Sequence, residues 1–451
     1  MALIAPFRGL RYNSTRVPKL EEVVTPPYDV IDRKAQEDLL KKNPYNMIQL
    51  DLSKNIDPAG MTDERYRHSR DLLEQWQAEG ILVRDSEPAV YLYFIEYQHP
   101  SGRRLTRKGL VCLTGLAEFS EGIVKPHEQI FRGVVTDRLR LLDTCRTQFS
   151  QVFALYPDQE GAVMSSLEAG RSGTPLCEAF DHDGCRHSLW SITDPAVILH
   201  VAGLFAAKSV YIADGHHRYN TALQMRELIV EREGSVTPDS PFNHIMMYLC
   251  AMEDPGLSVL PTHRLVQMPG VGADDLVKRL AEGFVVEEIR GGTREVLLAE
   301  VLARMDEIVE GNCFGLYHPV EDRCYLLIMK PGMMEAAGLD TIPASLRELD
   351  VVVLSELILE KYLQLSHQEC EERNLIDYFS DPDEALDQAV KNSIGSEEVS
   401  ILFLMKNTLV AQVKRVSDEE LIMPHKSTYF YPKVLTGLVL NKMESDEVVG
   451  S

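Results

Sequence analysis

The sequence has no apolar run long enough to cross a bilayer, and it is short of positive charge. Lys and Arg number 46 against 69 Asp and Glu, which gives a net charge of -23. Because nucleic-acid affinity rests mainly on Lys and Arg that neutralise phosphates, we do not expect a nucleic-acid partner. The lack of a long apolar run likewise predicts no membrane partner. The eight cysteines form no C-x-x-C pair, and no basic leader precedes an apolar core. These absences predict a cytoplasmic protein with reduced cysteines.

Several well-known chemical motifs are also missing. The chain contains no Gly-x-x-x-x-Gly-Lys-Ser/Thr phosphate loop, no Rossmann glycine fingerprint, no Gly-x-Ser-x-Gly elbow and no protein-kinase signature. Any nucleotide must therefore bind on a less common scaffold. Zinc is a weak alternative: Cys177, His182, Cys185 and His187 match no standard zinc spacing, and 181–184 is more typical of a hairpin turn.

Apolar periodicity predicts a mixed α+β fold in which helices and strands alternate. No internal repeat or low-complexity tract interrupts the chain. The Met-Pro-Gly-Val-Gly stretch at 268–272 is the clearest predicted boundary. We therefore expect an N-terminal α/β region at 1–110, a core region at 111–267 and a C-terminal α/β region at 268–451. The predicted elements include helices near 63–80, 137–146, 216–231 and 349–363, and strands at 88–97, 107–116, 152–156, 209–215 and 400–405.

The most informative segment is Asp214-Gly215-His216-His217-Arg218, between a predicted apolar strand and a predicted helix. Asp is a common helix N-cap, and Gly permits a sharp turn. The N-terminus of the helix offers backbone N–H groups and a partial positive charge to an anion. The histidines and Arg218 add side-chain donors suited to phosphate. The alternative is a capped turn whose basic residues are merely solvated.

A second candidate is Pro126-His127-Glu128, which places an acid or base on an irregular segment, with Arg138 ten residues further on. A zinc-protease helix would need a second His three residues after Glu128, but position 131 is Phe. The simpler interpretation is a surface glutamate in an acidic protein.

Two further basic groups follow predicted strands or loops. His263 and Arg264 come after one strand, and Lys426-Ser427-Thr428 with Lys433 lie near the C-terminus. Each group alone is usually solvated. In a chain this acidic, several basic clusters at the ends of elements predict one shared anion pocket. We expect Lys426 and Lys433 to close over it, as a lid or as ligands of a substrate carboxylate.

Together these segments resemble the family of the domain of unknown function numbered 1015. The matching segments occur in order from residue 5 to 433: APFRGLRYN, TPPYDVI, NPYNMIQLDL, KPHEQIFRGVVTDRLRLL, ADGHHRYNTAL, GLSVLPTHRLV and MPHKSTYFYPK. The resemblance covers nearly the whole chain but implies little chemistry, because most of that family is uncharacterised.

A more local resemblance implies a reaction. Asp-Gly-His-His-Arg is similar to the phosphate-binding box of the ParB/sulfiredoxin superfamily, which includes partition proteins, sulfiredoxins and free-serine kinases. The resemblance implies a ParB/sulfiredoxin-like catalytic core at 111–267, with large N-terminal and C-terminal α/β additions. The free-serine kinases also carry a Pro-His-Glu segment upstream, which implies Glu128 as general base. In compact members a few dozen residues separate the two motifs, whereas here some eighty do. The sulfiredoxin activity is not implied, because its box needs Cys where this chain has His216.

The resulting hypothesis is a phosphotransferase acting on a small hydroxyl substrate, with free L-serine as the best single guess. Glu128, His127 and His217 are the predicted catalytic residues, and the donor is ATP, ADP or pyrophosphate. Asp214 is the predicted Mg²⁺ ligand. The predicted phosphate-binding residues are Asp214, Gly215, His216, Arg218, Arg138, His263 and Arg264, and the predicted substrate-binding residues are Lys426, Ser427, Thr428 and Lys433.

Two alternatives remain open at this point. One is a regulator that binds a nucleotide at the 214–218 segment and changes state on binding. The other is a phosphohydrolase that binds phosphate at the same segment and transfers it to water. The residue pattern leaves the oligomeric state and the role of the C-terminal third undetermined.

Overall fold

In the computed structural model strands and helices alternate along the chain, which confirms the mixed α+β prediction. The structure describes residues 1–53, 63–394, 398–444 and 447–450. Among them no helix is both long and apolar enough to span a bilayer. The chain divides into two compact units: the first holds 1–126, 130–258 and 430–451, and the second holds 127–129 and 259–429.

The first unit is built on one large mixed sheet. The first twelve strands of the chain all lie in this unit: β1 (Ile4–Ala5), β2 (Leu10–Tyr12), β3 (Leu82–Arg84), β4 (Val90–Gln98), β5 (Arg104–Gly115), β6 (Val124–Lys125), β7 (Thr147–Gln148), β8 (Val152–Tyr156), β9 (Cys177–Phe180), β10 (Arg186–Ile192), β11 (Val210–Asp214) and β12 (His244–Ala251). Strands β2 and β3 pair with each other, and β7 pairs with a later strand, outside the large sheet. The sheet order is β6-β11-β8-β12-β5-β4-β10-β9, with β1 also on β5. β11 runs parallel to β6 and antiparallel to β8.

The two faces of this sheet differ in chemistry because side chains alternate along each strand. One face carries aliphatic residues such as Leu110, Ala154 and Ile212, and it is covered by helices. The other carries tyrosines and an arginine, including Tyr93, Tyr248 and Arg107. The helices of this unit are α1 (Arg33–Lys42), α2 (Ile48–Asp51), α3 (Glu64–Ala78), α4 (Arg132–Cys145), α5 (Ala162–Gly170), α6 (Pro195–Phe205) and α7 (His216–Glu233), with 3-10 turns at Leu20–Glu22, Tyr28–Val30, Phe119–Glu121 and Pro241–Asn243.

The second unit has its own sheet and its own core. The remaining strands of the chain are β13 (Ser258–Leu260), β14 (His263–Pro269), β15 (Phe284–Ile289), β16 (Cys313–His318), β17 (Arg323–Met329), β18 (Ile376–Phe379), β19 (Glu398–Leu404), β20 (Tyr429–Tyr431) and β21 (Asn441–Lys442). The sheet of the second unit has the order β15-β17-β16-β19-β14-β18. Its helices are α8 (Ala273–Leu280), α9 (Arg294–Glu307), α10 (Met333–Ala336), α11 (Ala344–Arg347), α12 (Asp350–Val352), a π-helix (Val353–Tyr362), α13 (His367–Glu372), α14 (Pro382–Ser393) and α15 (Val410–Asp418). Helices α9 and α14 cover one face of the sheet.

The predicted elements are confirmed, with shifts of a few residues at their ends. The predicted helix at 137–146 begins earlier, at Arg132. The three-region division remains a prediction, and its proposed boundary residue Met268 lies inside β14. The ParB/sulfiredoxin-like identity of the core also remains a prediction.

Helix α7 is fastened to the sheet by one buried hydroxyl. Tyr219 Oη donates to Ala117 O at 2.7 Å and accepts from Ala117 N at 3.0 Å. The ring is fully buried in the aliphatic core. This paired hydrogen bond fixes the first turn of α7 against the chain that follows β5.

We expect Tyr219→Phe to lower the free energy of unfolding of the first unit by about 1–3 kcal/mol, because two buried backbone groups lose their partner. Both tryptophans, Trp76 and Trp190, lie in the first unit, so urea unfolding followed by their fluorescence measures this. The control is Tyr156→Phe, since the buried Tyr156 hydroxyl has no hydrogen-bond partner among the described residues. Equal losses in both variants would refute the fastening role.

Candidate functional site

Strand β11 ends at Asp214 and helix α7 begins two residues later, so a single glycine makes the turn. Gly215 has φ +95°, and a Cβ there would lie 2.9 Å from the Arg218 guanidinium. Both conditions require glycine. The first bond of the helix runs from Tyr219 N to Gly215 O at 3.0 Å, so the N–H groups of the preceding turn face the end of the strand.

Asp214 does not cap the helix as the sequence predicted, since the N-cap position belongs to Gly215. Its carboxylate binds two cations instead: Lys433 Nζ lies 2.9 Å from Oδ2, and Arg218 Nη2 lies 3.4 Å from Oδ1. Burial by itself would raise the pKa of Asp214, but Lys433 and Arg218 hold it well below its usual range. The carboxylate therefore stays ionised and orients two positive side chains at the start of α7.

Arg218 is held on a second side by the backbone. Its Nη1 donates to Gln151 O, just before β8. The guanidinium also borders a cavity of about 50 Å³ in the first unit. The cavity is lined by Tyr28, Asp51, Arg138, Leu141, Leu142, Thr147, Gln148, Phe149, Ser150, Arg218, Thr221, Ala222 and Ile245.

Arg138, a predicted phosphate ligand, has carboxylates as partners. Its Nη1 lies 2.9 Å from Asp51 Oδ1 and its Nη2 lies 2.6 Å from Asp137 Oδ2. The guanidinium also stacks over Tyr28, with Cζ 4.4 Å from the ring centroid. Because these contacts use both terminal nitrogens, the position of Arg138 indicates a structural ion pair beside the cavity.

The two histidines of the box have different surroundings. His216 is 3% exposed, whereas His217 is partly exposed. His217 Nε2 accepts from the Phe131 backbone N–H at 2.9 Å, and the two rings stack at 5.8 Å. A nitrogen that accepts a hydrogen bond carries no proton, so this contact leaves Nδ1 as the ring nitrogen that can act as a donor.

His127 and Glu128 of the Pro-His-Glu segment belong to the second unit, where they contact the C-terminal Met-Pro-His-Lys motif. Met423 N donates to His127 O at 2.8 Å. Glu128 Oε1 lies 3.0 Å from His425 Nδ1 and accepts from Lys426 N at 3.2 Å. His425 was not among the residues predicted from the sequence, although it lies in the MPHKSTYFYPK segment. The carboxylate of Glu128 is thus held beside an imidazole.

The neighbouring polar side chains mostly stabilise this turn. Buried His127 forms a hydrogen bond from Nε2 to Thr428 Oγ1 at 3.1 Å. Ser427 Oγ donates to Pro424 O at 2.5 Å. Lys426 has φ +57°, and its carbonyl accepts from Arg264 Nη2 at 3.0 Å. The structure places Lys433 at the Asp214 box in the first unit, whereas Lys426 belongs to the second.

His263 and Arg264 also lie in the second unit, both buried on β14. Burial and the neighbouring Arg264 lower the pKa of His263 to about 4, and its Nδ1 accepts from Met405 N at 3.0 Å. Burial likewise lowers the pKa of Arg264 to about 10. A neutral buried imidazole is a poor ligand for phosphate, so the geometry indicates a structural role for His263.

The weak zinc alternative is not supported. β9 and β10 form a hairpin whose turn is closed by Cys185 N, which donates to Asp181 Oδ1 at 2.8 Å. His187 is bonded inside the unit, to Asp181 and to Tyr93 Oη. Within the described part of the chain, a three-ligand grouping of His, Cys and acidic side chains occurs only at Glu356, Glu360 and His367.

A magnesium ion does not fit Asp214 in this arrangement. Mg²⁺ binds oxygens at about 2.0–2.1 Å, and both Asp214 oxygens already contact a cation. Adding a divalent ion there would place it against Lys433 and Arg218. The donor set instead suits an anion.

A model of the family described as "Protein of unknown function (DUF1015)" matches residues 4–352. No curated protein matches the chain. Three solved structures are similar at low level: a free serine kinase in complex with AMP (13% identity, TM-score 0.34, 72% of this chain and 90% of that chain), a conserved hypothetical protein from Pyrococcus furiosus (15%, 0.31, 70% and 93%), and C-terminally truncated SbnI from Staphylococcus aureus (8%, 0.33, 72% and 86%). These values establish neither a shared fold nor a shared activity.

We expect Gly215→Ala to abolish phosphate binding, because the new Cβ displaces the Arg218 guanidinium and the backbone loses its left-handed turn. The matched control is Gly234→Ala at the other end of α7, where φ is +85° and no atom lies within 4 Å of the added Cβ. Both variants should lose about 1 kcal/mol of stability from the backbone, but only Gly215→Ala should lose binding in calorimetric titration with inorganic phosphate. Equal phosphate affinity in the two variants would contradict this.

His263 makes the second unit sensitive to acid. An unfolded histidine has a pKa of about 6.5, whereas the pKa of His263 in the folded protein is about 4. Between pH 7 and pH 5, His263 is therefore protonated in the unfolded chain but stays largely unprotonated in the folded chain. Stability is therefore lost as the pH falls, by about 2 kcal/mol across that interval. His263→Gln should remove this contribution, as measured by hydrogen exchange of the β14 and β19 amides at both pH values. Exposed His68→Gln is the control, and an unchanged pH slope in His263→Gln would refute the assignment.

Proposed function

This protein belongs to the family of proteins of unknown function called DUF1015, and we propose that it is a phosphotransferase that phosphorylates a small hydroxyl substrate. The observation that carries the proposal is the Asp214–Lys433–Arg218 cluster at the N-terminus of α7. Two cations and a helix N-terminus surround one carboxylate, which leaves an excess of positive charge where a phosphate would sit.

The box supplies what phosphoryl transfer needs most, namely positioning and charge neutralisation. In the proposal, Lys433 and Arg218 hold the donor phosphates, His217 donates through Nδ1, and the N–H groups of the first turn contact phosphate oxygens. Asp214 orients the two cations. The donor is a nucleotide (ATP or ADP) or pyrophosphate. Any Mg²⁺ enters with the donor as part of the substrate, so no step is assigned to it.

Glu128 is the proposed general base. In sequence it stands three residues before Phe131, whose N–H binds His217. In the step, Glu128 accepts the hydroxyl proton while the hydroxyl oxygen forms a bond to the transferred phosphorus. The bond from phosphorus to the leaving oxygen breaks, and the leaving group keeps its electron pair. His127, bonded to Thr428, is proposed to position this segment.

Free L-serine is the proposed acceptor, with O-phosphoserine as product. The direct test is phosphorus NMR of the purified protein with ATP, ADP or pyrophosphate, each incubated with serine, other hydroxy amino acids or sugars. A new phosphomonoester signal that requires the acceptor supports the proposal. Donor binding without turnover would indicate a nucleotide-binding regulator instead, and release of inorganic phosphate alone would indicate a phosphohydrolase.

We expect Glu128→Gln to lower kcat by roughly 10²- to 10⁴-fold, the usual contribution of a general base, with donor affinity retained. Rapid-quench single turnovers would measure the chemical step. Glu121→Gln is the control, because that glutamate caps the neighbouring 3-10 turn through Glu118 N. A normal single-turnover rate in Glu128→Gln would exclude it as the base.

A further inference from the structure

Arg107 on β5 is fully buried, and no interaction assigned so far uses it. Within residues 1–53, 63–394, 398–444 and 447–450, its Nε, Nη1 and Nη2 atoms have no hydrogen-bond partner. The guanidinium lies flat on aromatic rings, with Cζ 4.7 Å from the Phe153 centroid and 5.4 Å from the Tyr248 centroid. A buried guanidinium normally has a carboxylate or carbonyl at every edge, so this one lacks its acceptors.

The surrounding groups do not neutralise the charge. Burial raises the pKa of both Tyr248 and Cys250 well above their usual values, so both stay uncharged. Asp254 acts on Arg107 electrostatically, but among the described residues no ion pair joins the two, and Asp254 Oδ1 instead accepts from Gly256 N at 2.9 Å. Contacts with two rings offset part of the desolvation cost, and an anion would offset the rest.

A glycine on β5 makes room for the aromatic ring on which the Arg107 guanidinium lies. Gly109, two residues along β5 on the same face, has no side chain between Arg107 and the tyrosine. A Cβ at Gly109 would lie 2.4 Å from the Tyr248 ring. The absence of a side chain at Gly109 thus lets the Tyr248 ring pack against β5, where it contacts the Arg107 guanidinium.

This arginine lies beside the phosphate box, within the same unit. Phe153 stands directly opposite Asp214 in the β8–β11 pair, and Tyr248 stands beside Phe153 in the β8–β12 pair. Phe430 contacts the Phe153 ring at 5.6 Å, and Lys433 three residues later binds Asp214. Two cationic positions therefore flank Phe153: Lys433 with Arg218 on one side, and Arg107 on the other.

We propose that Arg107 binds the carboxylate of the acceptor, which makes the acceptor a small hydroxy acid rather than a neutral alcohol or sugar. The inference rests on the proposed phosphotransferase function and adds the residue that selects the acceptor. A planar guanidinium whose N–H groups have no acceptor among the described residues can bind a carboxylate through two parallel hydrogen bonds. The box takes the phosphate, so one substrate can be held at both ends.

The first test is the melting temperature of the ligand-free protein. Arg107→Met removes a buried charge for which the described residues provide no ion pair, so we expect a melting temperature equal to or above that of the wild type. The control is Arg171→Met, which removes an arginine stacked on Phe94 and Trp190. A marked fall for Arg107→Met alone would identify Arg107 as a structural residue and overturn the proposal. Arg107→Lys, which keeps the charge and loses the fork, serves if the methionine variant does not fold.

The second test is calorimetric binding of L-serine, glycolate, L-serinamide and inorganic phosphate. The wild type should prefer L-serine to L-serinamide, and Arg107→Met or Arg107→Lys should weaken L-serine binding roughly 10- to 100-fold, the usual worth of a charge-assisted contact. Phosphate affinity should be retained in both variants and in Arg171→Met. Arg218→Ala should show the opposite pattern, with phosphate binding lost.

The outcomes separate the two proposals. If the wild type binds neither phosphate nor nucleotide, the phosphotransferase function fails. If phosphate binds through Arg218 but no carboxylate binds, or the carboxylate preference survives in the Arg107 variants, only the inference about Arg107 fails. Loss of phosphate rather than carboxylate binding in those variants would assign Arg107 to the donor and overturn the carboxylate role.

Discussion

The candidate site depends on one ionic contact, the pairing of Asp214 with Lys433 and Arg218 around Gly215. A buried carboxylate is costly unless cations surround it, and here its two cations come from the first turn of α7 and from a segment 219 residues further along the chain. Asp214 therefore does not serve as a metal ligand or a helix cap. It holds two positive side chains in place, and the phosphate chemistry we propose uses their excess charge.

The two faces of the large sheet in the first unit have different side chains: one is packed into the aliphatic core, and the other carries the aromatic residues that Arg107 contacts. The aliphatic face is closed by α5, α6 and α7, and Tyr219 fastens the first turn of α7 to it. The opposite face carries aromatic rings on which Arg107 lies, next to the strand that ends at Asp214. A packed apolar layer on one side thus supports, on the other side, the side chains to which we assign anion binding.

The second unit organises the proposed base rather than the phosphate. Glu128 is set between His425 and the Lys426 amide, and His127 is bonded to Thr428. Both motifs were recognisable as segments, but neither indicated that one would bind the other. His263 and Arg264 lie buried in the same unit, and the lowered pKa of His263 removes the positive charge that made it a candidate for phosphate.

By itself, the sequence determined the local structure of the site: the apolar strand, the glycine turn and the helix that follows are dictated by residue pattern and by the left-handed backbone at Gly215. It also identified Lys433 and Glu128 as functional candidates. Only the tertiary structure decided the partners. Asp51 binds Arg138 and Lys433 binds Asp214, and both contacts join residues far apart in the chain. The guanidinium of Arg107 has no hydrogen-bond acceptor among the described residues. Local propensity sets backbone conformation, whereas the pairing of buried charges depends on which distant elements pack together.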